Sequence, residues 1–315
     1  MAKKLIVMIP CYNEAKTLPL VIKSIPKKIP GIAKIETLVV DDGSTDRTFQ
    51  AARKLKVNHI IRHINNKGLA RSFADGLELA LAKGADIIVS TDGDNQYPQK
   101  DILKLIRPIL QNKAKIVIAD RQTDKIAYFS PGKKLFQKLG SWVVRQASGV
   151  KVPDAVSGFR AYSRQAAQQI NITTDFSYVI ETIIQAGKKK IPIVSIPIKV
   201  NPQTRESRLY NGMWSHIKNS AATIVRVFTM YEPLKTFSYI AGVVFLAGLF
   251  LGARYLYFNF LGRSGAHLQS LLLAAILLIV GFQIFLIGLV ADLIAGNRKL
   301  MEKILNTTKK TEFKK

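Results

Sequence analysis

A chain of 315 residues is long enough for one sizeable domain and an addition to it. Its 47 Lys and Arg against 21 Asp and Glu give a formal charge of +26, which asks for an anionic partner: nucleic acid, an acidic membrane surface or a phosphorylated substrate. The single cysteine, Cys11, excludes an intrachain disulfide and fits a reducing compartment.

The opening M-A-K-K-L-I-V-M-I-P has the basic start and apolar run of a signal peptide, but the run stops at Pro10 and no small-residue cleavage site follows. It is read as a first strand. From there to about residue 120, short apolar runs rich in Ile and Val alternate with helical patterns. The runs are Leu5–Ile9, Thr37–Val40, Ile60–Ile64, Ile87–Val89 and Ile116–Ala119; the helical patterns are Ala15–Ile25, Asp46–Leu55, Leu69–Ala82 and Asp101–Leu110. Such alternation predicts an α/β fold with a mostly parallel sheet covered by helices on both faces. Ligands of these sheets bind beyond the C-terminal strand ends. Polar clusters fall at those ends: Pro10–Glu14 after the first strand, Asp41–Ser44 after the second, Asp92–Gln96 after the fourth, and Asp120 with Arg121 after the fifth. Ser44 or Asp46 is placed to cap the next helix. His59 and His63 lie in a strand-like stretch without a partnering Glu and read as ordinary polar positions.

The stretch S-T-D-G-D-N-Q-Y-P-Q (90–99) stands out. Gly93, Asn95 and Pro98 turn the chain, so that Asp92, Asp94 and Gln96 can converge on one point. Oxygen ligands at a strand end suit a hard cation, Mg²⁺ or Mn²⁺, that also holds substrate phosphates. An EF-hand is excluded, because the sixth position is Tyr97 and the twelfth Leu103. No G-x-G-x-x-G, G-x-x-x-x-G-K-[ST], G-x-S-x-G or H-E-x-x-H occurs.

Residues 122–200 are less regular. Lys133–Ser148 forms an amphipathic helical pattern, Pro153–Arg160 is turn-like, Tyr178–Ala186 reads as a helix and Ile193–Val200 as a strand. Glu181 lies among Ile and Val, where a carboxylate is costly unless paired, so a basic partner or a site is expected beside it. Asn201–Asn211 is a polar loop carrying Arg205 and Arg208.

The last third changes character. Phe237–Ala253 and Leu268–Ala291 carry no charge, and about 20 apolar residues span a bilayer. Gly248 and Gly252 form a G-x-x-x-G that offers a helix-packing face. Trp214–Met230 reads as an amphipathic helix lying on the membrane. The connector Asn259–Ala266 holds one basic residue and the tail after Ala291 holds seven, which predicts an integral membrane protein with its large domain and both termini cytoplasmic. The division that follows is 1–210 for the soluble domain, 211–233 for the interfacial helix, 234–292 for two spans and 293–315 for a basic tail.

Six separated motifs occur in order: I-P-C-Y-N-E (9–14), V-V-D-D-G-S-T-D (39–46), N-K-G-L-A-R (66–71), T-D-G-D-N-Q-Y-P (91–98), S-G-F-R-A-Y (157–162) and T-R-E-S-R-L (204–209). With them the chain resembles the family-2 glycosyltransferases of the GT-A fold, specifically the polyprenyl-phosphate glycosyltransferases that include dolichol-phosphate mannose synthase. Arg208 stands where relatives often carry Lys, which touches phosphate geometry more than function. The resemblance implies that Pro10, Tyr12, Glu14, Asp42, Lys67 and Arg71 line the nucleotide-sugar pocket with Asp92 and Gln96. It implies that Asp92, Asp94 and Gln96 hold Mg²⁺ or Mn²⁺ against the donor diphosphate. Arg121, Ser157, Arg160 and Arg208 would receive the acceptor phosphate, and Arg160, Arg205 and Arg208 would act with the two aspartates in catalysis.

The implied reaction moves a hexose from UDP-glucose, UDP-N-acetylglucosamine or GDP-mannose to undecaprenyl or dolichyl phosphate. The expected partners are the nucleotide sugar, the prenyl phosphate and anionic lipid, with homo-oligomerisation open. Transfer to a lipid alcohol such as diacylglycerol would require a general base, for which Asp154 or Glu181 is available in the sequence. Nucleic-acid binding is the alternative reading of the charge. Against it, the basic residues concentrate near the apolar helices and no recognition motif is present.

Overall fold

The computed structural model describes residues 3–123, 131–174, 178–202, 213–262 and 268–313. They divide into two compact units, one of residues 1–224 with 306–315 and one of 225–305.

The first unit is built on seven strands: β1 (Lys3–Cys11), β2 (Ile32–Asp41), β3 (His59–Arg62), β4 (Ile87–Ser90), β5 (Ile116–Asp120), β6 (Arg160–Ser163) and β7 (Ile193–Pro197). Their order is β3-β2-β1-β4-β6-β5-β7. All neighbours are parallel except β6, which runs antiparallel to both β4 and β5. The helices are α1 (Leu18–Ser24), α2 (Thr48–Lys54), α3 (Leu69–Ala82), α4 (Ile102–Leu110), α5 (Pro131–Ser148), α6 (Arg164–Gln169), α7 (Tyr178–Lys188) and α8 (Met213–Tyr231), whose last residues pass into the second unit.

The strand centres read as near-continuous Ile/Val runs because they are covered on both faces. Leu5, Val7, Ile9, Val39, Ile87, Val89 and Val117 are fully buried in a core closed by Leu18, Val21, Ile102 and Leu105 of the helices. The predicted strand and helix alternation over the first 120 residues is present. At α2, Asp46 rather than Ser44 receives the first helical N–H, from Thr48 at 2.9 Å, while Ser44 Oγ accepts from Asn13 N.

Register explains where the site forms. Cys11 pairs with Asp41, Asp41 with Arg62, and Met8 with Ser90, so the C-terminal ends of β1, β2, β3 and β4 lie along one edge. Arg160 opposes Ser90. Because β6 runs the other way, the turn that precedes it, Ser157–Phe159, arrives at that same edge.

The second unit contains α9 (Pro233–Phe260) and most of α10 (Leu268–Glu312), both long and apolar enough to cross a membrane. Their packing is glycine-mediated. A Cβ on Gly248 would lie 3.1 Å from Leu277 and Leu278, and one on Gly281 would lie 3.1 Å from Phe245. The G-x-x-x-G face is thus used inside the hairpin. Arg298 lies 4.0 Å over the Tyr231 ring, and the Tyr231 hydroxyl donates to Glu302 at 3.3 Å.

Candidate active site

The turn after β4 crosses the end of β1. Gly93 permits this: a Cβ there would sit 2.8 Å from Cys11 Sγ and 3.2 Å from Glu14 Cγ, so only glycine fits. Asp94 Oδ1 accepts from Gln96 N at 3.0 Å, and Asn95 takes a positive φ of 62° to close the turn. Asn201, after β7, ties the turn down through Asn201 N to Gln96 O and Asn201 Nδ2 to Asn95 O, both at 2.9 Å. The carboxylates of Glu14, Asp41, Asp92 and Asp94 all bear on Cys11, whose thiol is pushed well above its ordinary pKa by burial first and by these charges second. Negative potential therefore gathers at this strand edge, and a cation would relieve it.

Asp92, Asp94 and Gln96 are half-buried, with donor oxygens of the hard type. Among the described residues no group of three or more His, Cys, Asp or Glu gathers for a metal. Two carboxylates are nonetheless what Mg²⁺ needs when substrate phosphates complete its shell. The residues fit a cation shared with a diphosphate, and not an all-protein cage.

The remaining residues expected at the nucleotide pocket distribute as follows. Pro10 is buried at the end of β1, and Tyr12 is exposed beside it. Glu14 is buried and accepts from Thr17 Oγ1 at 2.6 Å. Lys67 and Arg71 are exposed at the start of α3, Arg71 paired with Asp75 at 3.0 Å. Asp42 is tied to the loop that leads into α3. It accepts from the main-chain N–H of Lys67 and of Gly68, each at 2.9 Å, and lies 2.7 Å from His63 Nδ1. Its neighbour Asp41 is fully buried at the end of β2. Asp41 Oδ1 accepts from Ser44 N, whereas Oδ2 is buried with no hydrogen bond among the described residues, Arg62 Nε lying 3.8 Å away.

Two arginines expected at phosphates have other partners. Arg121 sits on Asp154, Nε to Oδ2 at 2.6 Å and Nη2 to Oδ1 at 2.9 Å. Burial alone would raise the Asp154 pKa, but the Arg121 guanidinium outweighs it and holds the carboxyl below its usual range. Arg160 is 1% exposed and grips the carbonyls of Ser157, Val179 and Ala155 together with Thr182 Oγ1. Both guanidinium groups are thus engaged by the protein itself. Ser157 lies in the turn before β6, and among the described residues its buried Oγ has no hydrogen-bond partner. Arg205 and Arg208 fall outside the described residues.

Among the described residues Glu181 has no basic partner. Its carboxylate accepts from the N–H and hydroxyl groups of Thr173 and Thr174, at 2.7–3.1 Å, and from Gln185 Nε2. Four short donors from one loop stabilise the charge as a cation would.

Comparison with known proteins agrees with this architecture. Residues 6–170 match the model of glycosyl transferase family 2, and residues 232–296 match the GtrB C-terminal hairpin. The UDP-N-acetylglucosamine–dolichyl-phosphate N-acetylglucosaminyltransferase of Methanococcus voltae is 32% identical over 63% of this chain and 86% of its own. The dolichol-phosphate mannosyltransferase of Pyrococcus furiosus is 31% identical over 65% of this chain and 59% of its own. In fold, the chain is similar to glucosyl-3-phosphoglycerate synthase of Mycobacterium tuberculosis, crystallised with Mn²⁺, UDP and glucosyl-3-phosphoglycerate (TM-score 0.55, 19% identity, 72% of this chain and 79% of that one). The chain belongs to glycosyl transferase family 2, a glycosyltransferase with a GtrB-type hairpin at its C-terminal end.

Proposed function

We propose that this enzyme moves a hexose from a nucleotide-diphosphate sugar to a polyprenyl phosphate at the cytoplasmic face of a membrane, with inversion at the sugar carbon. The observation that carries the reading is the engagement of the two carboxylates the sequence offered as general bases: Asp154 is committed to Arg121 and Glu181 to Thr173, Thr174 and Gln185. An alcohol acceptor needs a base. A phosphate monoester does not, because its second pKa near ~6 leaves it largely dianionic at neutral pH.

Asp92, Asp94 and Gln96 would hold Mg²⁺ or Mn²⁺, which supplies neutralisation of the departing diphosphate. Asp41 and Tyr12 bound the nucleotide side of the same edge. Ser157, whose hydroxyl has no partner among the described residues, is the described residue best suited to the acceptor phosphate. Arg205 and Arg208 are the cations proposed for the membrane-proximal loop. In-line attack opposite the leaving diphosphate inverts the carbon, so an α-linked donor yields a β-linked lipid phosphate sugar. The names of the relatives from Methanococcus voltae and Pyrococcus furiosus, together with the apolar hairpin, support a prenyl-phosphate acceptor.

The test offers UDP-glucose, UDP-N-acetylglucosamine and GDP-mannose to the purified full-length protein with undecaprenyl phosphate, dolichyl phosphate or diacylglycerol. Transfer to a prenyl phosphate, with β coupling in the product's NMR spectrum, is expected. Transfer to diacylglycerol alone would replace this reading with the lipid-alcohol one, and an α-linked product would exclude single displacement.

A further inference from the structure

Gly158 is held from both sides by phenols. Tyr97, just beyond the aspartate turn, accepts from Gly158 N at 3.1 Å, and Tyr178, at the start of α7, donates to Gly158 O at 3.3 Å. Both tyrosines are essentially unexposed. Their rings are fixed in turn: Tyr97 stacks on Phe159 at 5.2 Å, and Tyr178 lies face to face with Phe73 at 3.9 Å and 8°. The peptide that carries Gly158 N is held on its carbonyl side as well, since Ser157 O accepts from Arg160 Nε at 2.7 Å.

What this glycine touches gives the clamp its consequence. A Cβ built on Gly158 would lie 2.9 and 3.0 Å from the two carboxylate oxygens of Asp92. The Asp92 carboxylate therefore rests on the Gly158 backbone, and where that backbone sits decides where the carboxylate sits. Tyr178 reaches the other side of the contact as well. Its hydroxyl lies 3.5 Å from Ser90 Oγ, at the end of β4, two residues before Asp92. The strand that emits the turn and the loop that backs it are thus referenced to the same phenol.

We propose that Tyr97 and Tyr178 are positioning residues that fix the Asp92 carboxylate for its cation by clamping Gly158, and that the absence of a side chain at 158 is part of the metal site. The inference rests on the cation role given to Asp92 under Proposed function. A ligand that must hold a cation and a leaving diphosphate in fixed geometry benefits from rigid outer support, and losing such support typically costs roughly 10-fold in metal affinity.

The experiment uses the full-length protein in detergent or nanodiscs, with Mn²⁺ binding followed by electron paramagnetic resonance in the presence of UDP in one arm and GDP in another. Tyr97→Phe and Tyr178→Phe keep ring volume and remove only the hydroxyl, Gly158→Ala probes the contact directly, and Ile109→Val serves as a core variant remote from the turn. We expect Mn²⁺ affinity to fall roughly 10-fold in each phenylalanine variant and further in Gly158→Ala, with Ile109→Val unchanged. In the phenylalanine variants excess Mn²⁺ should restore turnover, a rescue that general destabilisation would not give. Unchanged Mn²⁺ affinity in both, or turnover that excess Mn²⁺ fails to restore, would overturn the positioning role alone. No Mn²⁺ binding by the unaltered protein in either arm would overturn the metal reading and this inference with it.

Discussion

Arg121 and Asp154 meet as a fork on a carboxylate, at 2.6 and 2.9 Å, with both side chains buried. The pair links the end of β5 to the loop that leads into Ser157 and Gly158. Asp154→Asn leaves the Arg121 charge buried without a counter-ion, and should destabilise the protein by about 3–5 kcal/mol in urea unfolding. The pH dependence has a definite sign. The folded Asp154 pKa lies below its unfolded value of about 3.9, so its contribution is complete above that value and is lost as pH falls through the folded one. Asp154→Asn should therefore flatten the acid limb of the stability curve below about pH 4, and an unaltered acid limb would remove the pair from that role.

Arg160 makes the second structural arginine. Among the described residues, three carbonyls and one hydroxyl occupy its guanidinium. Arg160→Lys keeps the charge but loses the planar fork that reaches all of them. It should lower stability by about 2–3 kcal/mol, several hydrogen bonds at about 1 kcal/mol each with partial compensation by the ammonium. Thermal unfolding measures this. A variant of wild-type stability that fails only in acceptor affinity would return Arg160 to the phosphate site.

Asp94 lies on a half-exposed turn, and the replacement Asp94→Asn keeps an oxygen for the Gln96 N–H. Stability should move by no more than about 0.5 kcal/mol. Turnover should fall by about 100-fold or more, the effect of removing one group aimed at developing charge. EDTA should silence the native enzyme, and Mg²⁺ or Mn²⁺ should restore it. Full activity in EDTA would end the metal assignment.

The strands and helices up to Asp120 were legible because Ile/Val runs and amphipathic helices announce themselves by period, and the turn at Asp92–Gln96 because Gly, Asn and Pro punctuate it. What the sequence concealed was pairing. β6 has four residues, R-A-Y-S, too few to display a pattern, yet its antiparallel insertion carries Ser157 and Gly158 to the site. Arg121 and Arg160 have the residue type of phosphate ligands, and only coordinates reveal that Asp154 and main-chain carbonyls claim them first. Asp41 and Asp42 are neighbours with different partners, Ser44 for one and Lys67, Gly68 and His63 for the other, which adjacency in sequence does not reveal. Asn201 looked like the start of a polar loop and proves to anchor the turn.

The basic C-terminal tail offers the last prediction. Read from charge alone, residues 293–315 form a solvated cytoplasmic extension. In the structure, residues 306–315 group with the sheet-bearing unit. Phe313 is 7% exposed, and its carbonyl accepts from Arg164, whose Nη1 also donates to the carbonyl of Ala85 at 2.9 Å just beyond α3. Lys309 Nζ donates to Asn171 Oδ1 at 2.7 Å. Burying a phenylalanine contributes about 1.5–3 kcal/mol, and the polar contacts about 1 kcal/mol more. Phe313→Ala should therefore lower the stability of this unit by about 2 kcal/mol, and ending the chain after Leu305 should lower it by about 3 kcal/mol. Nucleotide affinity should survive in both, since Asp41, Asp92 and Asp94 lie at the opposite ends of the strands from Asp86 and Arg164. Hydrogen exchange adds a local readout: amides at the end of α3 and in α6 should exchange faster in the shortened chain. Unchanged melting and unchanged exchange there would make the tail a free extension after all.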